Sequence, residues 1–286
     1  MRVWLLAARP KTLSAAVVPV LIGTALAPPP IRWTLFACAL LGALFIQIGT
    51  NLVNDALDFR KGADGGERLG PTRVTQAGLL SAGAVMRAAF ICFALAAVCG
   101  VPLIVRGGWP LVAIGVASIV AAYAYTGGPY PLAYNGLGEL FVLLFFGFVA
   151  VGGSYYVQTL RIDRAVIAAG FAAGSLACVL LVINNLRDVA GDRISNKRTM
   201  AVRFGEGFAR FEVVFFAVAP FLAVMFVAQW RGHDWMLLPL ALFPMALSLI
   251  TRTNRSSGRD LNRCLALAGA MQWLFGILFV IGTRIR

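Results

Sequence analysis

A series of nine apolar runs, most of them close to 20 residues long, constrains the fold more than any other feature of this chain. The runs cover residues 12–28, 33–53, 84–105, 110–126, 137–157, 166–186, 211–229, 235–251 and 264–283. A helix of about 20 apolar residues matches the thickness of the hydrocarbon core of a bilayer. Hydrophobic residues make up 60% of the chain, more than the roughly 45–50% of a soluble domain. The sequence therefore predicts an all-α polytopic membrane protein with nine transmembrane helices in one domain, residues 1–286.

The distribution of basic residues predicts which helix ends face the cytoplasm. With the N-terminus inside, 18 of the 25 Lys and Arg residues fall in cytoplasmic segments and seven on the opposite side. Because basic loops are enriched on the cytoplasmic side of membranes, we expect a multi-pass protein of the plasma (inner) membrane with a cytoplasmic N-terminus. Loops 54–83 and 187–210 then share one side and are expected to cap a common site. The basic residues are spread between apolar runs, so nucleic-acid binding is not expected.

Two polar clusters follow the second and the sixth apolar runs and contain six of the 12 acidic residues. The first lies within NLVNDALDFRKGADGGER and the second within NNLRDVAGD. The candidate metal ligands in them are Asn51, Asp55, Asp58, Asp64, Asn184, Asp188 and Asp192. Residues three or four apart share one face of a helix. The acids of each cluster are therefore expected to project together, on the same side of the membrane.

Carboxylates this close repel one another unless a cation binds them. A charge at the bilayer centre costs about 2.5–3.5 kcal/mol, so these acids are expected at helix ends or in a wet cavity. Mg²⁺ binds carboxylate and carbonyl oxygens and shares them with phosphate oxygens. We therefore predict a magnesium site for a phosphorylated ligand, with Asp55, Asp58, Asp188 and Asp192 essential for catalysis. The residues predicted to hold the remaining phosphate charge are Lys61, Arg68, Arg73, Lys197 and Arg198.

At these residues the chain resembles the UbiA superfamily of intramembrane aromatic prenyltransferases. That family carries Asp-rich motifs on helices two and six of nine helices around a central cavity. Here the second motif, Asp188-xxx-Asp192, fits directly. The first has Asp58 three residues after Asp55 and Asp64 further on, unlike the 4-hydroxybenzoate branch, which leaves open whether Asp58 or Asp64 meets the metal. The stretches ARPKTL, YTGGPYPLAYNGLGE and NNLRDVAGDRISNKRTMAVRFG resemble the branch that prenylates 1,4-dihydroxy-2-naphthoate.

This resemblance implies magnesium-dependent transfer of a polyprenyl group from polyprenyl diphosphate to 1,4-dihydroxy-2-naphthoate, with loss of CO₂. The diphosphate is expected at the two clusters and the polyprenyl tail among the helices, open to the lipid bilayer. Other acceptors remain alternatives: 4-hydroxybenzoate, homogentisate, or a haem or chlorophyll precursor. A transporter is a further alternative, although its charges should lie in the middle of the spans. A membrane phosphotransferase would carry a DGxxAR-type run, which this chain lacks. Nothing in the pattern predicts the oligomeric state.

Aromatic, acidic and basic residues near the clusters are further candidates for substrate binding. All six tyrosines lie between residues 123 and 156, and we single out Tyr125, Tyr134 and Tyr156. A ring face can stabilise a cation by about 0.5–2 kcal/mol, although tyrosines at span ends can also form an interfacial belt. Glu139 is predicted to hold a substrate hydroxyl or accept its proton, or else to complement a helix N-terminus. Lys11 is predicted to reach the diphosphate or the acceptor carboxylate, or else to anchor the first span.

Overall fold

The structure is a computed structural model that describes residues 2–62 and 69–285. Asp64 and Arg68, both predicted above as site residues, lie outside the described residues. The α-helices are α1 (Arg2–Ala8), α2 (Ser14–Leu26), α3 (Trp33–Arg60), α4 (Ala82–Gly107), α5 (Trp109–Ala124), α6 (Gly138–Val142), α7 (Ala150–Thr159), α8 (Arg164–Ile194), α9 (Met200–Arg231), α10 (Phe243–Arg255) and α11 (Leu261–Arg284). A π-helical segment, Leu143–Val149, joins α6 to α7, and 3₁₀ turns cover Pro10–Thr12, Leu132–Asn135, Asp234–Leu242 and Gly258–Asp260.

Within the described part of the chain, seven helical segments are long and apolar enough to cross a membrane. The segment Arg2–Thr12 and helix α2 meet at 54° and qualify only together, as one broken span. Helix α5 is apolar but has only 16 residues. Each predicted apolar run coincides with one of these elements. The predicted all-α membrane fold is therefore confirmed, whereas the count of nine spans and the cytoplasmic N-terminus stay predictions.

Helices α3 and α8 continue past the predicted ends of their spans. Residues 54–60 and 187–194, predicted as parts of the capping loops, are helical. The helices persist because Asn51, Asp55 and Asp58 turn into the protein rather than into water. The last turns of these helices are therefore polar although they are helical. For this reason a hydropathy pattern places the C-terminal ends of α3 and α8 too early in the sequence. Both Asp motifs consequently lie on rigid helix ends.

Two clusters of buried apolar side chains form the core. The larger one joins helices α2, α8, α9 and α11, and the smaller one joins α1, α3 and α4. The first Asp motif lies on α3 and the second on α8, so each cluster carries one motif. The segment 126–137, between α5 and α6, crosses from one cluster to the other and places the two motifs opposite each other.

Helix α8 and the π-helical segment approach closely at three glycines. A Cβ atom at Gly147 would lie 2.5 Å from the carbonyl oxygen of Gly170 and 3.0 Å from the Cα of Gly174. Small residues let helix backbones pack this tightly within a membrane. Because the π-helical segment continues α6, this contact also fixes where Glu139, near the start of α6, meets α8.

Candidate active site

Asp55 anchors the loop that follows the first motif. Its Oδ2 accepts a hydrogen bond from the Val74 amide at 3.1 Å, and its Oδ1 accepts one from the Thr75 amide at 3.0 Å. The residue is only 1% exposed. Backbone donors to a carboxylate give strong, charge-assisted hydrogen bonds. Asp55 therefore fixes the loop beside the site, and both of its carboxylate oxygens already have a donor.

Asp58 is held by an arginine and a tyrosine from other segments. The Arg73 Nη1 lies 2.6 Å from Asp58 Oδ2, and the Tyr134 hydroxyl donates to Asp58 Oδ1 at 2.8 Å. The same Arg73 nitrogen donates to the Asn54 carbonyl oxygen at 2.7 Å. Removing charge from water is costly unless each group is paired. The buried Asp58 carboxylate is therefore neutralised and oriented by its neighbours.

Lys61 and Tyr134 form one rim of the same site. The Lys61 ammonium lies 4.3 Å from the centre of the Tyr134 ring and donates to the Thr126 carbonyl oxygen at 2.6 Å. Burial, followed by the negative charge of Asp58, raises the pKa of Tyr134. Its phenol therefore keeps its proton and remains a hydrogen-bond donor. Partial burial lowers the pKa of Lys61, and the charge of Asp58 opposes that change.

Arg187 organises the second motif. It donates from Nε to Asp188 Oδ1 at 2.8 Å and from Nη2 to Asp188 Oδ2 at 2.6 Å, a bidentate pair. It also donates to the side-chain oxygens of Asn184 at 2.7 Å and of Asn262, on α11, at 2.9 Å. The Asn262 amide then donates to the Leu69 carbonyl oxygen at 2.9 Å. Arg187 thus links α8 and α11 to the loop after the first motif.

Asp192 carries a buried carboxylate oxygen that lacks a donor. The Lys197 Nζ lies 3.3 Å from Oδ1, whereas no donor in residues 2–62 and 69–285 reaches Oδ2. A buried acceptor without a hydrogen bond costs about 1–3 kcal/mol. Because the Lys197 amide also donates to the Asp192 carbonyl oxygen at 2.8 Å, the lysine is held directly beside this acid. The free oxygen is available to a ligand.

Tyr134 connects the two motifs. Its hydroxyl binds Asp58 on α3, and its carbonyl oxygen accepts a hydrogen bond from the Arg198 amide at 3.0 Å. Asp58 also lies close enough to Lys197 and Asp192 for direct electrostatic interaction. The Arg198 side chain itself is exposed and contacts Asn196. Acids and bases from both motifs therefore surround one position near the loop Leu132–Asn135.

Asn51 connects the site to the N-terminal segment of the chain, which contains Lys11. The Asn51 amide donates to the Ala8 carbonyl oxygen at 3.0 Å and to the Thr12 hydroxyl at 3.1 Å. These bonds hold the turn Pro10–Thr12 against the first motif. Lys11, in the middle of this turn, is exposed. The position of Lys11 is therefore set by Asn51, one of the predicted metal ligands.

Tyr156 lies away from this site. Its hydroxyl donates to the carbonyl oxygen of Gly107 at 3.2 Å. Helix α4 begins just after the loop anchored by Asp55 and ends at Gly107. Because a helix of 26 residues is about 39 Å long, Gly107 lies far from that loop. The helical path that starts at Gly138 carries Tyr156 to the opposite end of the bundle. The structure thus separates Tyr156 from Tyr125 and Tyr134, although all three are close in sequence.

Glu139 forms a second polar layer beneath the motifs. The Asn185 amide donates to its Oε1 at 2.9 Å, and the Cys178 thiol donates to its carbonyl oxygen at 3.4 Å. Tyr125 lies beside this layer, because a Cβ atom at Gly138 would be 3.2 Å from its hydroxyl. Glu139 thus joins the start of α6 to α8, within reach of the space below Asp188.

Two side chains at this site, Arg187 and Asn262, and a third below it, Glu212, were missed by sequence reasoning. Arg187 was counted only as a loop charge, although it is 3% exposed. Asn262 precedes the last apolar run and carries no pattern of its own. Glu212 does carry a signal, since it is the only acidic residue within the predicted run 211–229. An ionisable residue inside a span is by default a functional candidate.

The donor set suits a hard cation that is bound together with phosphate. Within residues 2–62 and 69–285, no three His, Cys, Asp or Glu residues are grouped closely enough to hold a metal ion alone. Mg²⁺ commonly takes only one or two carboxylates and completes its octahedron with water and substrate phosphates. Asp188 and Asp192 present carboxylates one helical turn apart, and no donor among the described residues reaches Asp192 Oδ2. These residues therefore fit a magnesium ion shared with a ligand.

Comparison with known proteins agrees with this chemistry. The model of the UbiA prenyltransferase family matches residues 16–280. The 1,4-dihydroxy-2-naphthoate octaprenyltransferase of Mycobacterium tuberculosis is 37% identical over 246 residues, which cover 85% of this chain and 83% of that protein. The enzyme of the same name from Haemophilus influenzae is 33% identical and covers 100% of this chain and 96% of its own length.

A solved structure has the same fold. The UbiA homologue from Archaeoglobus fulgidus, bound to GPP and Mg²⁺, superposes with a TM-score of 0.72 at 14% sequence identity. The match covers 99% of this chain and 100% of that one. The likeness therefore extends over the whole helical bundle, including both core clusters.

Proposed function

Because this chain belongs to the UbiA prenyltransferase family, we propose that it prenylates 1,4-dihydroxy-2-naphthoate. The polyprenyl group comes from polyprenyl diphosphate, CO₂ leaves the ring, and the products are demethylmenaquinol and diphosphate. The C–O bond to diphosphate breaks, and a C–C bond forms at the ring carbon that loses CO₂. The assignment of this acceptor rests on the sequence identity of 37% and 33% to two enzymes that are named 1,4-dihydroxy-2-naphthoate octaprenyltransferase.

We assign the metal to the facing carboxylates of the two motifs. Asp188 and Asp192 would supply the two protein carboxylates, with the side-chain oxygen of Asn184 beside them and Asp58 within electrostatic range of Asp192. Asp55 and Asn51 hold the neighbouring loops. When bound, Mg²⁺ would draw electrons toward the diphosphate and make it a better leaving group. The GPP and Mg²⁺ in the related archaeal structure support this assignment.

The basic residues of the site bind and orient the diphosphate. Arg73 and Lys197 already lie beside the acids that would share the metal, at 2.6 and 3.3 Å. Lys61 occupies the rim beside Tyr134, and Arg198 and Lys11 are exposed at the edges. Guanidinium and ammonium groups compensate phosphate charge that the metal leaves over. We leave Tyr156 out of this set because of its place at the far end of the bundle.

Tyrosine rings stabilise the positive charge that develops on the prenyl group through cation–π interactions. The Tyr134 ring already faces a cation, the Lys61 ammonium, at 4.3 Å. Such contacts contribute about 0.5–2 kcal/mol when water is excluded. Tyr125, which interacts electrostatically with Glu139, Asp192 and Asp58, is the second aromatic side chain that we assign to this role. These residues orient and shield the reacting groups, and no covalent enzyme intermediate is required.

The chain is an integral membrane protein, and we place its site at the cytoplasmic face of the inner membrane. The support is the distribution of charge, with 18 of 25 basic residues on the side of the Asp motifs. The loop residues around the site are also where a water-soluble acceptor and diphosphate can enter. The polyprenyl tail would then lie among the helices beneath.

Mass spectrometry of products from the purified full chain tests the proposed function. We expect prenylated naphthol product when dihydroxynaphthoate, a polyprenyl diphosphate and Mg²⁺ are supplied together. EDTA should abolish the product and added Mg²⁺ should restore it, because the diphosphate is a poor leaving group without the metal. Prenylation of 4-hydroxybenzoate or homogentisate in place of the naphthoate would refute the acceptor assignment.

A conservative change at Tyr134 tests the link between the motifs. Tyr134→Phe keeps the ring but removes the hydroxyl that donates to Asp58. Loss of a group that orients a metal ligand commonly costs 10- to 100-fold in affinity or activity, and we expect a decrease of about that size in kcat/KM for the prenyl diphosphate. Tyr130→Phe, an exposed neighbour in the same loop, is the matched control. Equal activity of the two variants would remove Tyr134 from the site.

A further inference from the structure

Glu212 is a buried carboxyl group that the chemistry above does not use. It lies on α9, is 8% exposed, and its Oε2 meets no hydrogen-bond donor within residues 2–62 and 69–285. Few buried polar groups in native proteins lack a partner, and each one calls for an explanation. A ligand that donates a hydrogen bond would satisfy this oxygen.

A second acid, Glu139, lies within electrostatic range of Glu212. Glu139 interacts electrostatically with Glu212, and Cys178 interacts with both. Glu139 is oriented by the Asn185 amide, and neither glutamate forms an ion pair with the described part of the chain. Two carboxyls in a low-dielectric interior are unfavourable unless donors or protons compensate them. The pair therefore favours a ligand that donates hydrogen bonds over an anionic one.

The glutamate pair lies directly beneath the proposed diphosphate site. Asn185, which holds Glu139, precedes Asp188 and Asp192 on α8 by three and seven residues, or about 5 to 10 Å along the helix. Tyr125 interacts electrostatically with Glu139 and also with Asp192 and Asp58. Its hydroxyl lies close to Gly138, where a Cβ would be 3.2 Å away. Tyr125 thus connects the two levels.

We propose that Glu212 accepts a hydrogen bond from the ring hydroxyl of the acceptor that is farthest from the acceptor carboxylate. The inference rests on the proposed function, which supplies a hydroxylated aromatic acid as acceptor. The two glutamates repel the acceptor carboxylate, and Lys61 and Lys197 beside the Asp motifs attract it. The ring then enters with its carboxylate toward the diphosphate and its remote hydroxyl toward Glu212. Glu212 is thereby a specificity-determining residue.

A role in acceptor binding and a role in stability predict different outcomes. Glu212→Leu removes a buried carboxyl whose Oε2 has no donor within the described residues, so the change relieves the cost of an unsatisfied buried acceptor. The variant should therefore keep its thermal midpoint while losing recognition of the remote hydroxyl. Glu212→Gln retains a side-chain oxygen that accepts a hydrogen bond, so it should keep part of that recognition. Glu206→Gln is the matched control, because Glu206 is exposed on the same helix and pairs with Arg210.

Direct binding to the full chain in lipid nanodiscs tests the proposal, with the fluorescence of the naphthoate as the readout. The ligands are 1,4-dihydroxy-2-naphthoate and 1-hydroxy-2-naphthoate, which lacks the remote hydroxyl. A charge-assisted hydrogen bond makes the dihydroxy acid bind about 10- to 100-fold more tightly to the wild type. Glu212→Leu should bring this ratio close to one, and Glu206→Gln should leave it unchanged.

Two results would overturn the inference: a wild-type ratio near one, or a full ratio retained by Glu212→Leu. If Glu212→Leu does not fold, an unchanged ratio in Glu212→Gln and in Glu212→Ala has the same consequence. Binding can also be compared for homogentisate and for 2-hydroxyphenylacetate, which lacks the remote hydroxyl of homogentisate. This comparison tests the role of Glu212 independently of whether the naphthoate is the acceptor. Absence of naphthoate product in the turnover assay would refute the proposed function, whereas the binding ratios report on Glu212 alone.

Discussion

Replacing Asp192 with Asn is expected to reduce prenyl transfer by about 1,000-fold, because a metal ligand worth several kcal/mol in the transition state is weakened. Asp192 supplies the buried carboxylate oxygen that no described residue satisfies. The protein should remain folded, since the side chain keeps its shape and loses only the pair with Lys197 at 3.3 Å. Steady-state turnover at saturating polyprenyl diphosphate, over a series of Mg²⁺ concentrations, measures the effect.

The control for this change is Asp260→Asn, an acid whose side chain is 72% exposed at the start of α11. It should keep wild-type turnover and the wild-type dependence on Mg²⁺. Near-normal turnover of Asp192→Asn, with a thermal midpoint like that of the control, would show that the second motif does not hold the metal. The assignment of Asp188 would then fall with it.

The largest effect on stability is expected for Arg187→Ala. This guanidinium is 3% exposed and donates to Asp188, Asn184 and Asn262. Removing one partner of a buried ion pair costs about 3–5 kcal/mol, which corresponds to a fall of about 10 °C in the thermal midpoint. Thermal unfolding of the purified chain in one detergent at fixed ligand concentration provides the measurement.

Arg193→Ala is the matched control, because Arg193 lies on the same helix but is exposed. It should shift the midpoint by no more than about 1–2 °C, as expected for a surface substitution. If Arg187→Ala melts like Arg193→Ala, the hydrogen bonds of Arg187 do not hold α8 to α11. Loss of activity without loss of stability would instead place Arg187 among the ligand-binding residues.

The fold was largely predictable because helices in a bilayer leave a strong signal in hydropathy. Each apolar run coincides with a helical element, since lipid-facing turns such as those around Val105 must be apolar. The ends of α3 and α8 were not predictable in the same way. Asp55 is polar yet lies within α3, because it faces the Val74 and Thr75 amides of a later loop. Asp188 is polar yet lies within α8, because it pairs with its neighbour Arg187, which in turn binds Asn262 on α11.

The site was predictable where local spacing decides the geometry and unpredictable where tertiary contacts decide it. The spacing of Asp188 and Asp192 indicates one helix face, as observed. The pairing of Asp58 with Arg73 and Tyr134 depends on where the loops after α3 and α5 lie in the bundle, which no local pattern encodes. Tyr156 is close to Tyr134 in sequence but not in space, because a membrane-spanning helical segment separates the two residues.

The hydrogen bond from Asn262 to the Leu69 carbonyl oxygen joins residues 193 positions apart. During synthesis, the first motif thus emerges long before its last tether exists. The catalytic head group site is completed only when the final helix has entered the bilayer and docked beside α8. A chain truncated before the last helix would contain both motifs but would lack the contacts of Asn262 with Leu69 and Arg187. We therefore expect such a chain to be inactive.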